Sequence, residues 1–466
     1  MKEYFPVVII GAGPAGLTSA YELTRKGIRT VLLEKSDRVG GLARTETYKG
    51  YRFDMGGHRF FTKVERVQKL WEEMLGNDFR KIPRLSRIFY RGRFFKYPLD
   101  LFDTLTKLGL IESTQILVSY VGAKLRPHPE EKTLEQWLTK RFGRRLYETF
   151  FRSYTEKVWG IPCDQIGADW ADQRIRGLSL AAAVLNALLG SNHRHPKTLI
   201  NEFHYPVLGP GMMWERFQKA IEQGGGEVYC NAEAIRLRHV SGRLEAVTFR
   251  QDGEAVEISG DQFISTMSLE ELITRMTPPP PAETLQAGQN LAYRGFVLVG
   301  LILNRAELFS DNWIYVHSPQ VKVARIQNFK NWSPAMVTNP LTTSLGMEYF
   351  CSEGDPIWRM PDRELVEMAR RELAHLGLAE EGDVEEGVVF RQARAYPVYD
   401  HRYREHLERI RHFLETIDNL QTIGRSGMHR YNNMDHSMIT GMLAAENILG
   451  AHHDLWEVNK QQEYLE

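Results

Sequence analysis

Two stretches near the N-terminus combine residue types and spacings suited to chemistry. In VVIIGAGPAGLTSAYELTRKGIRTVLLEK, an apolar strand from Val7 to Ile10 leads into Gly11, Gly13 and Gly16, then an apolar run at helical spacing, then a second strand ending at Glu34. Gly11 permits a tight turn, Gly13 lets backbone N–H groups approach a pyrophosphate, and Gly16 lets the helix pack closely on the strand. Pro14 and Ala15 open that helix, and the Glu34 carboxylate, followed by Lys35, stands where ribose hydroxyls can donate to it. Glycine turn, helix and acid together predict a dinucleotide-binding βαβ unit. The second stretch, FDMGGHRFF, sets Gly56, Gly57 and His58 among Phe53, Phe60 and Phe61. A histidine on a glycine pair suits a movable catalytic loop; the same residue among aromatic rings also suits simple packing.

The elements that must position these residues are legible further along. GGLART places Gly40, Gly41, Leu42 and Arg44 just after Glu34. Residues 224–267 read as strands and turns that return to the dinucleotide domain, bringing Ala234 to the cofactor. Near the C-terminus, TIGRSGMHRYNNMDHSMITGMLAAENILG offers Gly424 and Arg425, then a helix from about Asp435 whose start carries Asn433, Met434 and Ser437. A helix N-terminus stabilises negative charge, as a reduced flavin ring requires. GGLART resembles the second signature of glutathione-reductase-like flavoproteins, and the C-terminal segment resembles the flavin-closing segment of their amine-oxidase-like branch. The resemblance implies non-covalent FAD and an α/β fold: a Rossmann-like FAD-binding domain, an inserted helical domain and a mixed β-sheet substrate domain. The expected segments are 1–95 and 201–275 for FAD, 96–200 for the helical domain, 276–415 for the sheet and 416–466 for closure.

Several spacings resemble one family within that branch, the UDP-galactopyranose mutases. GGH at 56–58 resembles its histidine loop. TEKVWGIPCDQIGADWADQR resembles the segment carrying a pocket tryptophan and a diphosphate-binding arginine, here Trp170 and Arg174. WIYVHSPQVKVARIQNFKNW keeps a tyrosine, an arginine and an aromatic in step, here Tyr315, Arg325 and Trp332, where the family usually has tyrosine at the third position. AYPVYD supplies Tyr396, and GRSGMHRY supplies Arg425 and Tyr431. RGRFFKYPLDLF matches at Tyr97 and Pro98 but departs at Leu99 and Asp100, so Asp100 is a candidate acceptor for an amino-bearing base or sugar. The resemblance implies His58, Arg174 and Arg325 as the catalytic set. It implies pyranose–furanose interconversion of a nucleotide-diphosphate sugar through an N5 adduct of reduced flavin, without net redox change. The residues themselves fit a diphosphate, since guanidinium forks bind planar oxyanions and phenols fill the remaining acceptors. An oxidase, dehydrogenase or desaturase of the amine-oxidase or protoporphyrinogen-oxidase type is the alternative.

The rest of the chain sets bounds. It has 466 residues, 42% hydrophobic and 25% charged, with Lys plus Arg and Asp plus Glu balanced at 59 each. No global field draws it to nucleic acid or anionic membrane. Cys163, Cys230 and Cys351 are too scattered for a disulfide framework or zinc site, which fits a reducing, cytoplasmic setting and no metal. The apolar run at 177–190 is too short to span a bilayer, so membrane contact is not expected. TPPPPAE at 277–283 reads as a connector between units, and TLEQ at Thr133 to Gln136 as a helix capping box. With no second dinucleotide motif, any NAD(P)H reductant would enter the flavin site itself. A homodimer is compatible with the sequence.

Overall fold

The computed structural model describes residues 3–97, 99–125, 131–168 and 202–460. Trp170, Arg174 and the 177–190 run lie outside the described residues.

An eight-stranded sheet is organised around the strand Glu3–Ile10. This strand pairs in parallel with Thr30–Leu33 on one side and with Glu254–Ser265 on the other. A parallel strand covered on both faces needs a continuous apolar run, and the sequence supplies one. Val7 and Ile9 enter the core beneath the helices Pro14–Thr24, Gly211–Gln223 and Met434–Ile448. Phe5, Val8 and Ile10 alternate onto the opposite face. The strands Glu233–Val240 and Arg243–Gln251 extend the sheet, and Leu420–Thr422 joins it beside Glu254–Ser265.

A second, seven-stranded sheet runs in the order Val384–Pro397, Tyr293–Leu303, Thr343–Cys351, Arg325–Asn328, Trp313–Val316, Ser86–Tyr90 and Arg93–Lys96. Helix Asp362–His375 covers one face. On the other face, residues from the helices Leu110–Leu125 and Leu134–Phe142 pack with Ile88, Phe95, Tyr315 and Trp332. Thr133 and Gln136 form the capping box read from the sequence.

The hairpin 86–96 belongs to the second sheet, where Ser86–Tyr90 pairs in parallel with Trp313–Val316. The proline stretch joins two elements of one unit, because Met276–Thr277 pairs with Glu233–Val240 and helix Ala282–Gln289 packs on Tyr403–Leu414. Asp100 is also a helix cap, its carboxylate accepting from the Asp103 N–H at 2.9 Å. Among the described residues, no helix is long and apolar enough to cross a membrane.

The helices Pro14–Thr24 and Met434–Ile448 both aim their N-termini at one cavity, and their contact fixes that geometry. A Cβ at Gly441 would stand 2.4 Å from the Ala15 carbonyl oxygen, and the Ser19 hydroxyl donates to the Gly441 carbonyl at 3.0 Å. Gly441→Val therefore overpacks the interface, a change that typically costs about 1–3 kcal/mol. Purified variant is expected to melt earlier and to carry less flavin, read from thermal denaturation and visible absorbance. Wild-type values for both would contradict this packing argument.

Candidate functional site

A cavity of about 600 Å³ opens between the two sheets and receives nearly every residue singled out in the sequence. One end is built from bare backbone. Gly11 has φ +96° and no room for a side chain, since a Cβ would lie 2.0 Å from the Thr266 hydroxyl oxygen. At Gly16 a Cβ would meet the Gly11 carbonyl oxygen at the same distance, so helix and strand touch as the motif requires. Gly13 faces Gly41, whose Cβ would sit 3.2 Å from the Gly13 Cα, and Gly40 donates to the Ala12 carbonyl at 2.8 Å. Two glycine turns thus stand together with backbone exposed between them. Glu34 is buried, its two carboxylate oxygens accepting from the Ala12 and Ser36 N–H groups, each at 2.9 Å. An ionised carboxylate has about four acceptor sites, so capacity remains for hydroxyl donors. Lys35 pairs with Glu271 at 3.6 Å, and Ala234 lines the same end.

The other end is closed by the C-terminal segment. Gly424 turns with φ +80° and donates to the Thr440 hydroxyl. The Arg425 guanidinium donates to the carbonyls of Asn432 and Ala395 and lies 4.4 Å from the Tyr431 ring centroid. Helix Met434–Ile448 then begins, with Asn433 as cap and Ser437 in the wall. Asp435, 2% exposed, uses one carboxylate oxygen on the His436 N–H and leaves Oδ2 without a partner. These features fit a flavin dinucleotide: the glycine turns suit its pyrophosphate, Glu34 suits a ribose diol, and the orphaned Asp435 oxygen suits a hydroxyl donor. Leu42 and Arg44 complete the cradle, Arg44 donating to the Gly41 carbonyl at 2.9 Å and the Gln392 side chain at 2.8 Å. That last bond ties the cradle to the second sheet.

His58 and Arg325 meet in the middle. Gly56 has φ +109°, and a Cβ there would stand 3.5 Å from the His58 Nε2 and 3.8 Å from the Arg325 Nη2. A Cβ at Gly57 would reach the Gln327 side-chain nitrogen at 2.9 Å. The glycine pair therefore lets the histidine loop lie against the strand Arg325–Asn328. The half-buried His58 bonds the Met55 carbonyl through Nε2 at 2.8 Å, so that nitrogen carries the proton of the neutral ring. Burial lowers the His58 pKa to about 4, with the nearby charges of Arg425 and Arg325 adding to the shift. Arg325 is not an open fork: Nε and Nη2 both donate to Oε2 of Glu348, at 2.9 and 2.5 Å, while Gln327 donates to Oε1 at 2.6 Å. Burial opposes the Arg325 charge, but the Glu348 carboxylate outweighs it and raises the pKa.

Aromatic rings line the remaining wall. Tyr396 and Tyr431 stack with centroids 5.7 Å apart, and burial raises the Tyr396 pKa. Tyr315 lines the cavity and carries Tyr97 behind it at 4.4 Å. Trp332 lines it too, but its indole N–H donates to the Asn312 carbonyl at 2.8 Å, so it offers a ring face and not a donor. Sequence reasoning missed Arg59, Trp313, Gln327 and Glu348. Trp313 and Gln327 had a usable signal, since residues two apart on a strand share a face and Tyr315 and Arg325 were already chosen. Glu348, on another strand, had none.

A neutral His58 makes a direct expectation. In a histidine-labelled sample followed by NMR, its ring should show no titration between pH 5.5 and 8, and protonation should destabilise the fold as pH falls from 6.5 towards about 4. A His58 midpoint near 6.5 would contradict the burial and charge argument.

Comparison with known proteins agrees with this architecture. The whole chain superposes on a crystal structure of reduced UDP-galactopyranose mutase with a TM-score of 0.85, 22% identity and 99% coverage of both chains. A putative protoporphyrinogen oxidase from Exiguobacterium sp. 255-15 follows at 0.72, with 16% identity over 96% of this chain and 99% of that one. In sequence, the chain is 26% identical to a putative flavin-containing monoamine oxidase AofH of Mycobacterium tuberculosis over 60% of its length and 61% of the relative's. It is 26% identical to a probable UDP-galactopyranose mutase of Klebsiella pneumoniae over 35% of its length and 43% of the relative's. It is 39% identical to a phytoene desaturase of Rhodobacter capsulatus over 54% of its length and 48% of the relative's. The chain thus spans less than two thirds of these curated relatives. Residues 14–449 match the profile of the flavin containing amine oxidoreductases, and the chain belongs to that family.

Proposed function

We propose that this protein is an FAD-dependent mutase of nucleotide-diphosphate sugars, interconverting pyranose and furanose rings. The observation that carries the reading is the polarity of the cavity beyond the flavin cradle: Arg325, Tyr315, Tyr396 and Tyr431 converge there, where an apolar substrate would call for an apolar chamber. The fold likeness to reduced UDP-galactopyranose mutase over the full length supports the same reading. When bound in its reduced form, FAD supplies a nucleophilic N5 for the anomeric carbon. The chain's residues do the rest. Arg325, held rigid by Glu348, stabilises charge on the departing diphosphate, and Arg174 is its proposed companion. Tyrosine hydroxyls orient the sugar and phosphates. Neutral His58, its Nε2–H given to the Met55 carbonyl, accepts a hydrogen bond through Nδ1 without adding charge beside the flavin ring. The proposed setting is the cytoplasm, with a nicotinamide or comparable donor as reductant.

Flavin oxidoreductase chemistry is the second reading, favoured by the family match and the similarity to an oxidase and a desaturase. The two separate in one experiment. Enzyme reduced anaerobically with dithionite should change the ring size of a sugar nucleotide through many turnovers with no oxidant consumed. No turnover across a panel of sugar nucleotides, with an amine or polyene reducing the oxidised flavin instead, would establish the second reading.

Two substitutions test the assigned roles. His58→Ala should retain FAD and lower turnover by a factor on the order of 10², as loss of a positioned group commonly does; unchanged kcat would leave His58 a packing residue. Arg325→Lys keeps charge but loses the fork shared with Glu348, so nucleoside diphosphate affinity should fall roughly tenfold to a hundredfold at constant flavin content. Wild-type affinity by calorimetry would remove Arg325 from the diphosphate site.

A further inference from the structure

Arg59, beside His58, lines the same cavity but stands apart from its other cations. Arg44, Arg275, Arg325, Arg391, Arg394 and Arg425 each donate to an internal carboxylate or carbonyl. Among the described residues, no carboxylate or carbonyl accepts from Arg59. Its half-buried guanidinium instead lies 5.5 Å from the centroid of Trp313. Trp313 is 2% exposed, and its indole N–H is buried without an acceptor, although the equivalent group of neighbouring Trp332 has one. Arg84 lies at the same distance from the Trp313 ring, 5.5 Å, adding positive charge near this ring. Arg325 spends Nε and Nη2 on Glu348, whereas Arg59 spends no donor on an internal carboxylate or carbonyl among the described residues.

We infer that Arg59, backed by Trp313, forms an oxyanion-binding subsite for an anionic group of the substrate. Aromatic stacking holds a guanidinium plane in place and leaves its fork facing outward, the geometry that phosphate and carboxylate groups match. The subsite deepens the nucleotide-sugar reading and rests on it for the choice of ligand. Two sources supply the anion: the diphosphate of the carrier, or the carboxylate of an acidic sugar.

Calorimetric titration of the flavin-loaded enzyme with UDP, UDP-galactose and UDP-glucuronate distinguishes them. Arg59→Gln should weaken binding on the order of tenfold or more, and Arg59→Lys should recover part of it, with flavin content and Tm unchanged. Loss for all three ligands assigns the diphosphate; loss confined to UDP-glucuronate assigns a sugar carboxylate. The proposal is overturned if Arg59→Gln binds all three as wild type does, or if wild type binds none. Turnover of the reduced enzyme is scored separately: Arg59-dependent binding without ring interconversion would sink the mutase reading and leave this subsite standing.

Discussion

The pairing of Arg325 with Glu348 is the constraint on which the site depends. Glu348 is fully buried on a central strand of the second sheet, where a lone carboxylate would be costly. Arg325 and Gln327, from the adjacent strand, saturate it from one side. Their side chains then form the surface against which Gly56 and Gly57 lie, so that the histidine loop touches the strand through its backbone. Removing either charge would strand the other, and His58 would lose the surface that defines its place. The same pairing fixes the Arg325 guanidinium in one orientation at the cavity wall.

The cavity belongs to two units and is finished by neither alone. The first sheet contributes glycine turns, an acid and two helix N-termini, an arrangement that suits a pyrophosphate and a reducible ring. The second contributes aromatic rings and guanidinium groups. Arg44 crosses between them through Gln392, and the C-terminal helix locks onto the first helix through Gly441. Chemistry at this junction can therefore change through the second sheet while the cradle stays constant.

Much of this was legible in the sequence, for identifiable reasons. The glycine turns, Glu34 and the C-terminal helix start are local patterns in which one backbone geometry demands one residue type. Tyr315, Arg325 and Tyr396 came from the resemblance to the mutases, and they line the cavity. Other features were hidden because they depend on distant partners. Nothing near Glu348 announces that it meets Arg325, and nothing near Arg59 announces Trp313. The capping role of Asp100 was hidden because a helix cap and a ligand acceptor are the same chemical group, and the chain beyond it shows the cap. That the hairpin 86–96 joins the second sheet was hidden because a parallel pairing with a strand beginning at Trp313 leaves no local mark.

The central claim is that one cavity holds a flavin and a nucleotide diphosphate side by side. Its most direct test is a visible difference spectrum recorded while UDP is titrated into the flavin-loaded enzyme, oxidised and reduced. Bound in the same cavity, the ligand should perturb the flavin bands saturably, with one equivalent bound per flavin. A flat difference spectrum with UDP, together with a saturable one from an amine or a polyene, would contradict the account.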